Sequence, residues 1–293
     1  MPVQQKVSAL VLNWRDTDRT LRCVKSLLES ELIERVLIVD NEAMSGSTLG
    51  RDLKHMDSKR IQLLSFSENR GFAGGINPGL QRLIADGIEN IIVINNDATI
   101  SPESVETLLN AQRGASPLTL VGPRICYPDG SVQAAGSRIH WATAKVDHAS
   151  WPNRTDYLTW ACVLITKEII ETVGYLDERF FMYWEDADFS LRLSRLGGST
   201  RVIVDAHATH EESATKEVIG NLTIRYATAS LATFTRKDPR LWLGAHYRLI
   251  MRILRQSFRH GPREGLRTIQ AWGWGWKTTS PAWKNISTAR WTR

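Results

Sequence analysis

VSALVLNW, residues 7 to 14, is a run of apolar and β-branched residues that ends in Asn13 and Trp14. It is followed by TLRCVKSLLES, an amphipathic stretch at residues 20 to 30. The two patterns predict a buried strand and then a helix. Further along the chain the strand pattern recurs as RVLIVD, RIQLLSF and NIIVINND, with the helical stretch FAGGINPGLQRLIADG between the last two. This alternation predicts an α/β fold whose mostly parallel sheet carries helices on both faces.

Polar side chains stand where the predicted strands end. They are Asn13, Asp40, Asn69, Asn95, Asn96 and Asp97. Each one alone could be an ordinary turn residue, because Asn and Asp are common in turns. Ligands of open parallel sheets bind outside the carboxyl ends of the strands. The six residues follow four predicted strands, and polar side chains at four strand ends on one edge favour a binding site there.

The composition is that of a globular protein, with 293 residues, 42% of them hydrophobic and 23% charged. The three cysteines are odd in number and far apart, which predicts neither a disulfide framework nor a zinc motif and fits a reducing compartment. The first residues show no signal peptide, and no apolar run approaches the roughly 20 residues of a membrane span. We therefore expect a cytoplasmic protein.

Charge divides the chain into two parts. Residues 235 to 293 carry 13 Lys or Arg against two acidic residues, whereas residues 1 to 234 carry 24 basic and 29 acidic residues. This asymmetry predicts a main domain at 1–235, with halves at about 1–125 and 126–235, and a basic tail at 236–293. A basic tail indicates an anionic partner.

The tail begins with an amphipathic pattern, LWLGAHYRLIMRILRQSFR, at residues 241 to 259. The pattern predicts a helix with arginines on one side, namely Arg248, Arg252, Arg255 and Arg259. Apolar residues line the opposite side, namely Tyr247, Ile250, Met251, Leu254 and Phe258. Five tryptophans follow, from Trp272 to Trp291. Tryptophan with Lys or Arg suits a membrane headgroup zone, so residues 241–293 are predicted to bind the anionic inner face of the cell membrane.

The composition of the tail raises two other uses. The helix could pack on the body of the protein or on a second subunit in a homodimer. Binding to nucleic acid is not expected, because the tail matches no nucleic-acid-binding motif and the acidic body would repel phosphate.

Three further motifs connect the chain to a known family. They are ENRGFAGGINPG at 68 to 79, INND at 94 to 97 and DERFFMYWEDADFSLR at 177 to 192. From about Val7 to Lys237 the sequence resembles an inverting family 2 glycosyltransferase of the GT-A fold, and most of all the bacterial dTDP-rhamnosyltransferases. The resemblance implies a Rossmann-like nucleotide-binding sheet. It also implies transfer of L-rhamnose to a lipid-linked or polysaccharide acceptor in the synthesis of a cell-surface glycan such as O-antigen.

The resemblance assigns residues to the nucleotide sugar. These are Asn13, Asp40, Asn69, Gly71, Asn95, Asn96 and Trp160, with Gly74, Gly75 and Asn77 completing the glycine-rich turn. A physical reason supports the assignment of Asp40, with Asn13 and Asn69, to the pyrimidine base. Uracil and thymine present an N3 donor between two carbonyl acceptors, so a carboxylate can accept from N3 and amides can serve the carbonyls. Trp160 stands where the family usually has glycine, and it is expected to narrow the site or stack on a sugar.

The resemblance implies a divalent cation, Mg²⁺ or Mn²⁺, held by Asp97 and His210. Oxygen ligands suit both ions and leave coordination places for phosphate and water. His207 is a competing ligand three residues earlier. Asn95 stands where the family has aspartate, and this neutral amide is expected to weaken metal binding.

The acidic turn at 185 to 188 is the most specific part of the likeness. It implies that Asp186 is the base that deprotonates the acceptor hydroxyl, with Glu185 beside it to position the base or contact the acceptor. The helix dipole is expected to keep Asp186 ionised and to make it a weaker base. Asp188 and Arg192 are four residues apart, which predicts a structural ion pair. Alternatively, the whole segment could be an ordinary helix start, because acidic residues are common in the first turn of a helix.

The neighbouring aromatic residues, Tyr183 and Trp184, could stack on the acceptor or be simple core. For the whole protein the same motifs also fit a transferase using a UDP-sugar, such as galactofuranose or an N-acetylhexosamine. A catalytically silent nucleotide-sugar-binding protein is the third hypothesis, favoured by Asn95.

Overall fold

The computed structural model of the chain describes residues 6–43, 48–56, 59–148, 155–211 and 221–277. In these ranges a central sheet of nine strands has the order β3-β2-β1-β4-β10-β6-β11-β5, with β7 paired to β6, and β8 and β9 form a separate pair. The strands are β1 (Val7–Asn13), β2 (Ile33–Asn41), β3 (Ile61–Phe66), β4 (Asn90–Asn95), β5 (Ala98–Ile100), β6 (Thr119–Cys126), β7 (Val132–Ala134), β8 (Arg138–His140), β9 (Lys145–Asp147), β10 (Cys162–Thr166) and β11 (Ser199–His210).

The sheet is mostly parallel. Strands β3, β2, β1 and β4 pair in parallel, and so do β6 and β11. Strand β10 runs antiparallel between β4 and β6, and β5 and β7 pair antiparallel to their neighbours. The predicted strands of the first hundred residues are all present.

The helices are α1 (Thr17–Leu28), α2 (Leu49–Lys54), α3 (Gly71–Ala85), α4 (Pro102–Arg113), α5 (Lys167–Val173), α6 (Glu185–Arg195), α7 (Asn221–Lys237), α8 (Trp242–His260) and α9 (Pro262–Trp276). Side chains of α1, α2 and α4 share one apolar cluster with strand residues, and those of α3, α5 and α6 share a second cluster with others. Because successive strand residues point to opposite sides, the two clusters lie on the two faces of the sheet. The predicted α/β architecture is confirmed.

Register brings the polar strand ends to one edge. Asn13 pairs with Asp40 across β1 and β2, and Leu12 pairs with Asn95 across β1 and β4. The carboxyl ends of these parallel strands therefore lie side by side, as the sequence predicts.

Helices α7, α8 and α9 form a C-terminal layer. A third apolar cluster joins Phe234 of α7, Leu249 of α8 and Trp272 of α9 to Trp184 and Phe180, which lie just before α6. The predicted boundary near residue 235 falls at the end of α7, against which α9 packs, and the division into 1–235 and 236–293 stays a prediction. Trp283 and Trp291 lie outside the described residues. Within the described ranges, the helices all lack the length and apolar character needed to cross a bilayer.

Close packing of α9 on α7 depends on a glycine. A Cβ added to Gly275 would lie 2.2 Å from the carbonyl oxygen of Ala229 and 2.6 Å from the Cβ of Ala232, whereas one added to Gly273 meets nothing within 4 Å. The hydroxyl of Thr233 also donates to the carbonyl oxygen of Gly275 at 3.1 Å. The two helices therefore approach backbone to backbone at this point.

We expect Gly275→Ala to lower the free energy of unfolding by about 1–3 kcal/mol, because the methyl group must push α9 away from α7. Gly273→Ala is the matched control in the same helix and should be neutral or stabilising by up to about 1 kcal/mol, since alanine is the better helix former. Thermal and denaturant unfolding measure both. Equal stability of the two variants would contradict the close packing.

Candidate active site

The nucleotide side of the site is built on a buried pair, Asn13 and Asp40. The amide nitrogen of Asn13 donates to Oδ1 of Asp40 at 2.8 Å, and its oxygen accepts from the hydroxyl of Thr20 at 2.8 Å. Asp40 is 5% exposed, and burial raises its carboxyl pKa although the Asn13 hydrogen bond lowers it. Asn13 therefore orients Asp40.

Asn41, which the sequence analysis missed, shapes the neighbouring loop. Its amide nitrogen donates to Oδ1 of Asn69 at 3.0 Å and to the carbonyl oxygen of Gly71 at 2.9 Å. Its own side-chain oxygen accepts from the backbone N–H of Arg70 at 2.9 Å. The place of Asn41 directly after Asp40, at the end of a buried strand, was the available signal. Through Asn41 the loop of Asn69 is fixed beside the Asn13–Asp40 pair.

Gly71 has a role that differs from the expected contact with nucleotide. Its φ is +72°, and an added Cβ would lie 2.3 Å from the carbonyl oxygen of Phe181. The next backbone N–H, of Phe72, donates to that same oxygen at 2.6 Å. Gly71 thus lets the loop before α6 approach the start of α3. Asn77 fixes the same loop further on, because its amide nitrogen donates to the carbonyl oxygen of Leu176 at 2.9 Å.

Trp160 is a core residue, which corrects the expectation that it stacks on a sugar. The indole is 2% exposed and makes edge contacts with the rings of Phe72 and Phe189. A ring enclosed on both sides has no free face to offer a ligand. It fills the space between α3 and α6 and so sets the distance between them.

Asp97 and His210 lie together at the ends of β4 and β11. Oδ1 of Asp97 is 3.1 Å from Nε2 of His210. The other ring nitrogen, Nδ1, is 2.7 Å from Oε1 of Gln133, and an amide oxygen can only accept, so Nδ1 carries the hydrogen. In neutral His210 the Nε2 lone pair then points toward a carboxylate, an arrangement that a cation between them would relieve.

This pair fits a divalent cation. Adjacent ligands of an octahedral ion with bonds of about 2.1 Å lie about 3 Å apart, close to the separation of Asp97 and His210. The described residues hold no group of three or more His, Cys, Asp or Glu side chains suited to a metal, so water and phosphate oxygens would complete the coordination. Asn95 is also close to the pair, with its amide nitrogen 3.4 Å from Nε2 of His210.

The competing ligand, His207, lies elsewhere. Its Nδ1 accepts from Nε of Arg124 at 3.2 Å, away from the Asp97 carboxylate. Asn96 makes a structural hydrogen bond, in which its amide nitrogen donates to the hydroxyl of Thr20 at 3.1 Å. Of the two histidines, only His210 is positioned beside Asp97.

The acidic turn follows two residues with unusual backbone angles. Tyr183 and Trp184 have φ values of 68° and 72°, a region that non-glycine residues rarely occupy. The Trp184 ring is 8% exposed and packs on Phe234 of α7 at a centroid distance of 4.7 Å. Trp184 is therefore core, which corrects its expected role at the acceptor. Tyr183 is only partly buried and keeps that expectation.

Burial controls the two acids that begin α6. It raises the pKa of Asp186 to about 7, against the opposing hydrogen bond from the N–H of Ala187. It raises the pKa of Glu185 well above the usual range, and the charge of Asp186 adds to this effect. The expectation that the helix dipole makes Asp186 a weaker base was therefore wrong, because desolvation is the larger effect. Glu185 is neutral where Asp186 begins to ionise.

The predicted ion pair of Asp188 and Arg192 is present at 2.9 Å. Arg192 also donates to the backbone oxygens of Val173 and Tyr175, at 2.8 Å each. Lys237, which the sequence analysis missed, pairs with Asp188 and with Asp177. These contacts tie the first turn of α6 to the segment before it and to the end of α7.

Trp160 lies between the acidic start of α6 and the end of β4. The backbone N–H of Asn95 donates to the carbonyl oxygen of Ala161 at 2.9 Å, and the ring of Trp160 packs on Phe189, one turn after Asp186. The start of α6 and the end of β4 are thus joined through two consecutive residues. Asn95 lies two residues before Asp97, so α6, the helix of Asp186, is linked by packing to the strand end that Asp97 follows.

A profile of the glycosyltransferase-like family 2 matches residues 4–229 of this chain. The fold and this match define the class, a transferase of sugars. The chain belongs to the glycosyltransferase-like family 2, and the predicted family is confirmed.

Individual relatives share 24–26% sequence identity with this chain. An N-acetylglucosaminyl-diphospho-decaprenol L-rhamnosyltransferase of Mycobacterium tuberculosis is 25% identical over 250 residues, covering 75% of this chain and 74% of its own. The dTDP-rhamnosyl transferase RfbF of Shigella flexneri is 26% identical over 184 residues, covering 60% and 59%. The hexosyltransferase Agl10 of Haloferax volcanii, from low-salt glycan biosynthesis, is 24% identical over 201 residues, and the match spans 62% of its length.

Solved glycosyltransferases share the fold. GalNAc-T7, determined with UDP, GalNAc and Mn²⁺, matches with a TM-score of 0.61 at 11% identity, over 88% of this chain and 58% of its own. The mannosyltransferase PcManGT of Pyrobaculum calidifontis, determined with GDP-Man and Mn²⁺, has a TM-score of 0.58 at 13% identity, over 97% and 79%. The predicted GT-A fold is confirmed.

We expect Glu185→Gln to be more stable than the wild type at pH 8 and equally stable near pH 4. The folded chain keeps the Glu185 proton above pH 4.5, where the unfolded chain releases it, so wild-type stability falls as the pH rises through this window. The melting temperature across pH measures the difference, expected to reach a few degrees. The exposed control Glu106→Gln should follow the wild-type curve, and a pH-independent gap for Glu185→Gln would contradict a buried neutral acid.

We expect Asp97→Asn to weaken Mn²⁺ binding in the presence of a nucleoside diphosphate by at least about tenfold, because the amide removes the negative charge that the cation would meet. Calorimetric titration measures the dissociation constant. Asp205→Asn, an exposed change on the same strand as His210, is the control and should bind as the wild type does. Unchanged binding by Asp97→Asn would place the cation elsewhere.

Proposed function

We propose that this chain is an inverting glycosyltransferase that moves L-rhamnose from dTDP-rhamnose to a lipid-linked or polysaccharide acceptor of a cell-surface glycan. The observation that carries the proposal is Asp186, a partly buried carboxyl group whose pKa is raised to about 7 by desolvation. It starts α6 at the sheet edge where Asn13, Asp40 and Asp97 converge. That edge belongs to a family 2 fold, in which a sugar nucleotide is the expected donor.

Asp186 supplies the base. A carboxylate within hydrogen-bonding reach of the acceptor hydroxyl can take its proton while the oxygen attacks the anomeric carbon from the side opposite the nucleoside diphosphate. A pKa near neutrality makes the group a stronger base than an exposed aspartate, yet leaves it ionised in about half of the molecules at pH 7. The neutral Glu185 beside it adds no second negative charge.

The residues at the strand ends, on the side of the site away from Asp186, would hold the donor. Asp40 can accept from N3 of a pyrimidine base, and the fixed loop of Asn69 lies beside it. Asp97 and His210 would hold the divalent cation, which when bound supplies positive charge for the departing diphosphate. The His210 ring is held by its hydrogen bond to Gln133, and the backbone carbonyl oxygen of Asp97 accepts from the N–H of Glu211 at 3.0 Å, which holds the chain at this point.

Rhamnose is favoured by the relatives. The names of the Mycobacterium tuberculosis and Shigella flexneri proteins both specify rhamnosyl transfer, and the former names a polyprenyl-diphosphate-linked acceptor. This support concerns the donor sugar and the acceptor class.

A UDP-sugar is the second candidate. A carboxylate that reads N3 treats uracil and thymine alike, so Asp40 does not discriminate between them. GalNAc-T7 was solved with UDP, and a TarS protein of S. aureus with UDP-GlcNAc. Thermal-shift measurements with dTDP, UDP, dTDP-rhamnose and UDP-sugars, each with and without Mn²⁺, separate the two candidates. Greater stabilisation by dTDP compounds supports rhamnose.

We expect Asp186→Asn to lose at least about a hundredfold in kcat and to keep the wild-type affinity for the donor, because the amide cannot take a proton. Wild-type kcat should fall as the pH drops through about 7, where the carboxylate gains its proton. Single-turnover transfer and donor titration measure the two quantities. Asp129→Asn, an exposed aspartate, is the control. Full activity of Asp186→Asn would exclude it as the base, and donor binding without transfer by the wild type would indicate the silent nucleotide-sugar-binding alternative.

A further inference from the structure

Helix α8 presents its apolar side to solvent. Five exposed apolar side chains of this helix lie three or four residues apart and form one stripe, namely Leu243, Tyr247, Ile250, Leu254 and Phe258. Phe258 is 93% exposed. Leu266 and Ile269 of α9, also exposed, extend the apolar surface beyond the turn between the helices. We call these seven side chains the hairpin face.

The opposite side of α8 packs on the protein through arginine. A guanidinium nitrogen of Arg252 donates to the hydroxyl of Thr228 at 3.0 Å, and one of Arg248 donates to the carbonyl oxygen of Ala144 at 2.9 Å. Burial lowers the pKa of Arg252 to about 10. Two of the four arginines predicted to face an anionic partner therefore face the body, and the orientation of α8 is the reverse of that in an ordinary surface helix.

Close contacts hold α8 in this orientation. An added Cβ at Gly244 would lie 2.6 Å from the backbone nitrogen of Ala144, and one at Gly265 would lie 2.0 Å from the hydroxyl of Ser257. Leu249 is buried in the cluster that contains Trp272 and Trp184. Rolling the helix about its axis would break these contacts, so the hairpin face stays outward.

Among the described residues from α8 to Lys277, the exposed Lys, Arg, Asp and Glu side chains are all positive. Arg255, Arg259, Arg263 and Lys277 are exposed along α8, α9 and the residue that follows. In the described parts of α8 and α9 the acidic side chain is Glu264, and it is neutralised by Arg225 at 2.7 Å and by Arg267. An apolar stripe flanked by cations is complementary to the acyl and headgroup layers of an anionic bilayer.

We propose that the hairpin face docks on an anionic lipid surface, with α8 lying flat in the interface. At about 1.5 Å per residue, α8 offers a contact of about 28 Å. A second copy of the chain fits less well, because a two-fold interface would place the arginines of both copies against one another. The exposed apolar residues outside this hairpin, such as Leu63, Val132 and Leu196, are scattered, whereas a contiguous apolar stripe marks an interaction site.

Docking in this way sets the site close to the lipid. Trp184, the residue before the acidic turn, packs on Phe234 of α7, and α7 packs on α9. The hairpin face and the proposed base thus belong to one connected layer. The docking itself does not depend on the proposed reaction, but its use for a lipid-linked acceptor rests on that proposal.

The test uses the full chain in a vesicle flotation assay, with phosphatidylcholine alone or mixed with phosphatidylglycerol. The wild type should float with the anionic vesicles, and less so at high salt. Leu254→Gln with Phe258→Gln should lower the partition coefficient at least about tenfold, since two exposed apolar groups no longer enter the bilayer. Leu196→Gln with Val204→Gln changes exposed apolar residues elsewhere and should leave flotation unchanged. Arg255→Gln with Arg259→Gln should reduce binding to anionic vesicles only.

Melting temperatures and light scattering accompany each variant. All changed side chains are exposed, so the melting temperatures should match that of the wild type. The proposal is overturned if the wild type does not float with anionic vesicles, or if the Leu254 and Phe258 double variant floats as well as the wild type. It is also overturned if light scattering shows a wild-type dimer that this variant converts to a monomer, because a second copy would then cover the hairpin face.

Discussion

The packing of Trp184 on Phe234 is the contact on which the position of the acidic turn depends. Two consecutive residues with positive φ cost of order 1–3 kcal/mol each and persist only where the surroundings hold them. Here the buried indole and the hydrogen bond from the hydroxyl of Ser230 to the carbonyl oxygen of Met182, at 2.9 Å, provide that support. Without it the turn would relax and α6 would no longer begin with its acids at the sheet edge.

The same burial that fixes the turn gives the site its chemistry. Removing two adjacent carboxyl groups from water raises both pKa values, and the mutual repulsion of their charges separates them, so that one stays neutral while the other titrates near neutrality. Tyr157, buried close to both acids, has a raised pKa for the same reasons and stays a neutral phenol. The proposed base therefore has a low-dielectric environment around it before any ligand binds.

Local patterns were enough to predict the sheet and its polar edge, because strand ends, glycines and acidic helix starts leave marks within a few residues. Predictions that depended on burial failed. Trp160 was expected to narrow the site or stack on a sugar, yet it is core, and Trp184, for which stacking and core packing were both open, is core as well. Partners distant in sequence were also missed, Gln133 for His210 and Lys237 for Asp188. The helical period of α8 was read correctly, but the period alone does not say which side faces the protein.

The glycine contacts that hold α8 have a consequence for regulation. Gly244 and Gly265 leave no room for α8 to rotate about its axis. The exposure of its apolar side is therefore a permanent property of the fold and does not depend on substrate binding. On the docking proposed for it, residence time at the bilayer would follow lipid composition and ionic strength, independent of whether the enzyme is resting or turning over. An enzyme held in this way finds a lipid-borne acceptor by diffusion in two dimensions.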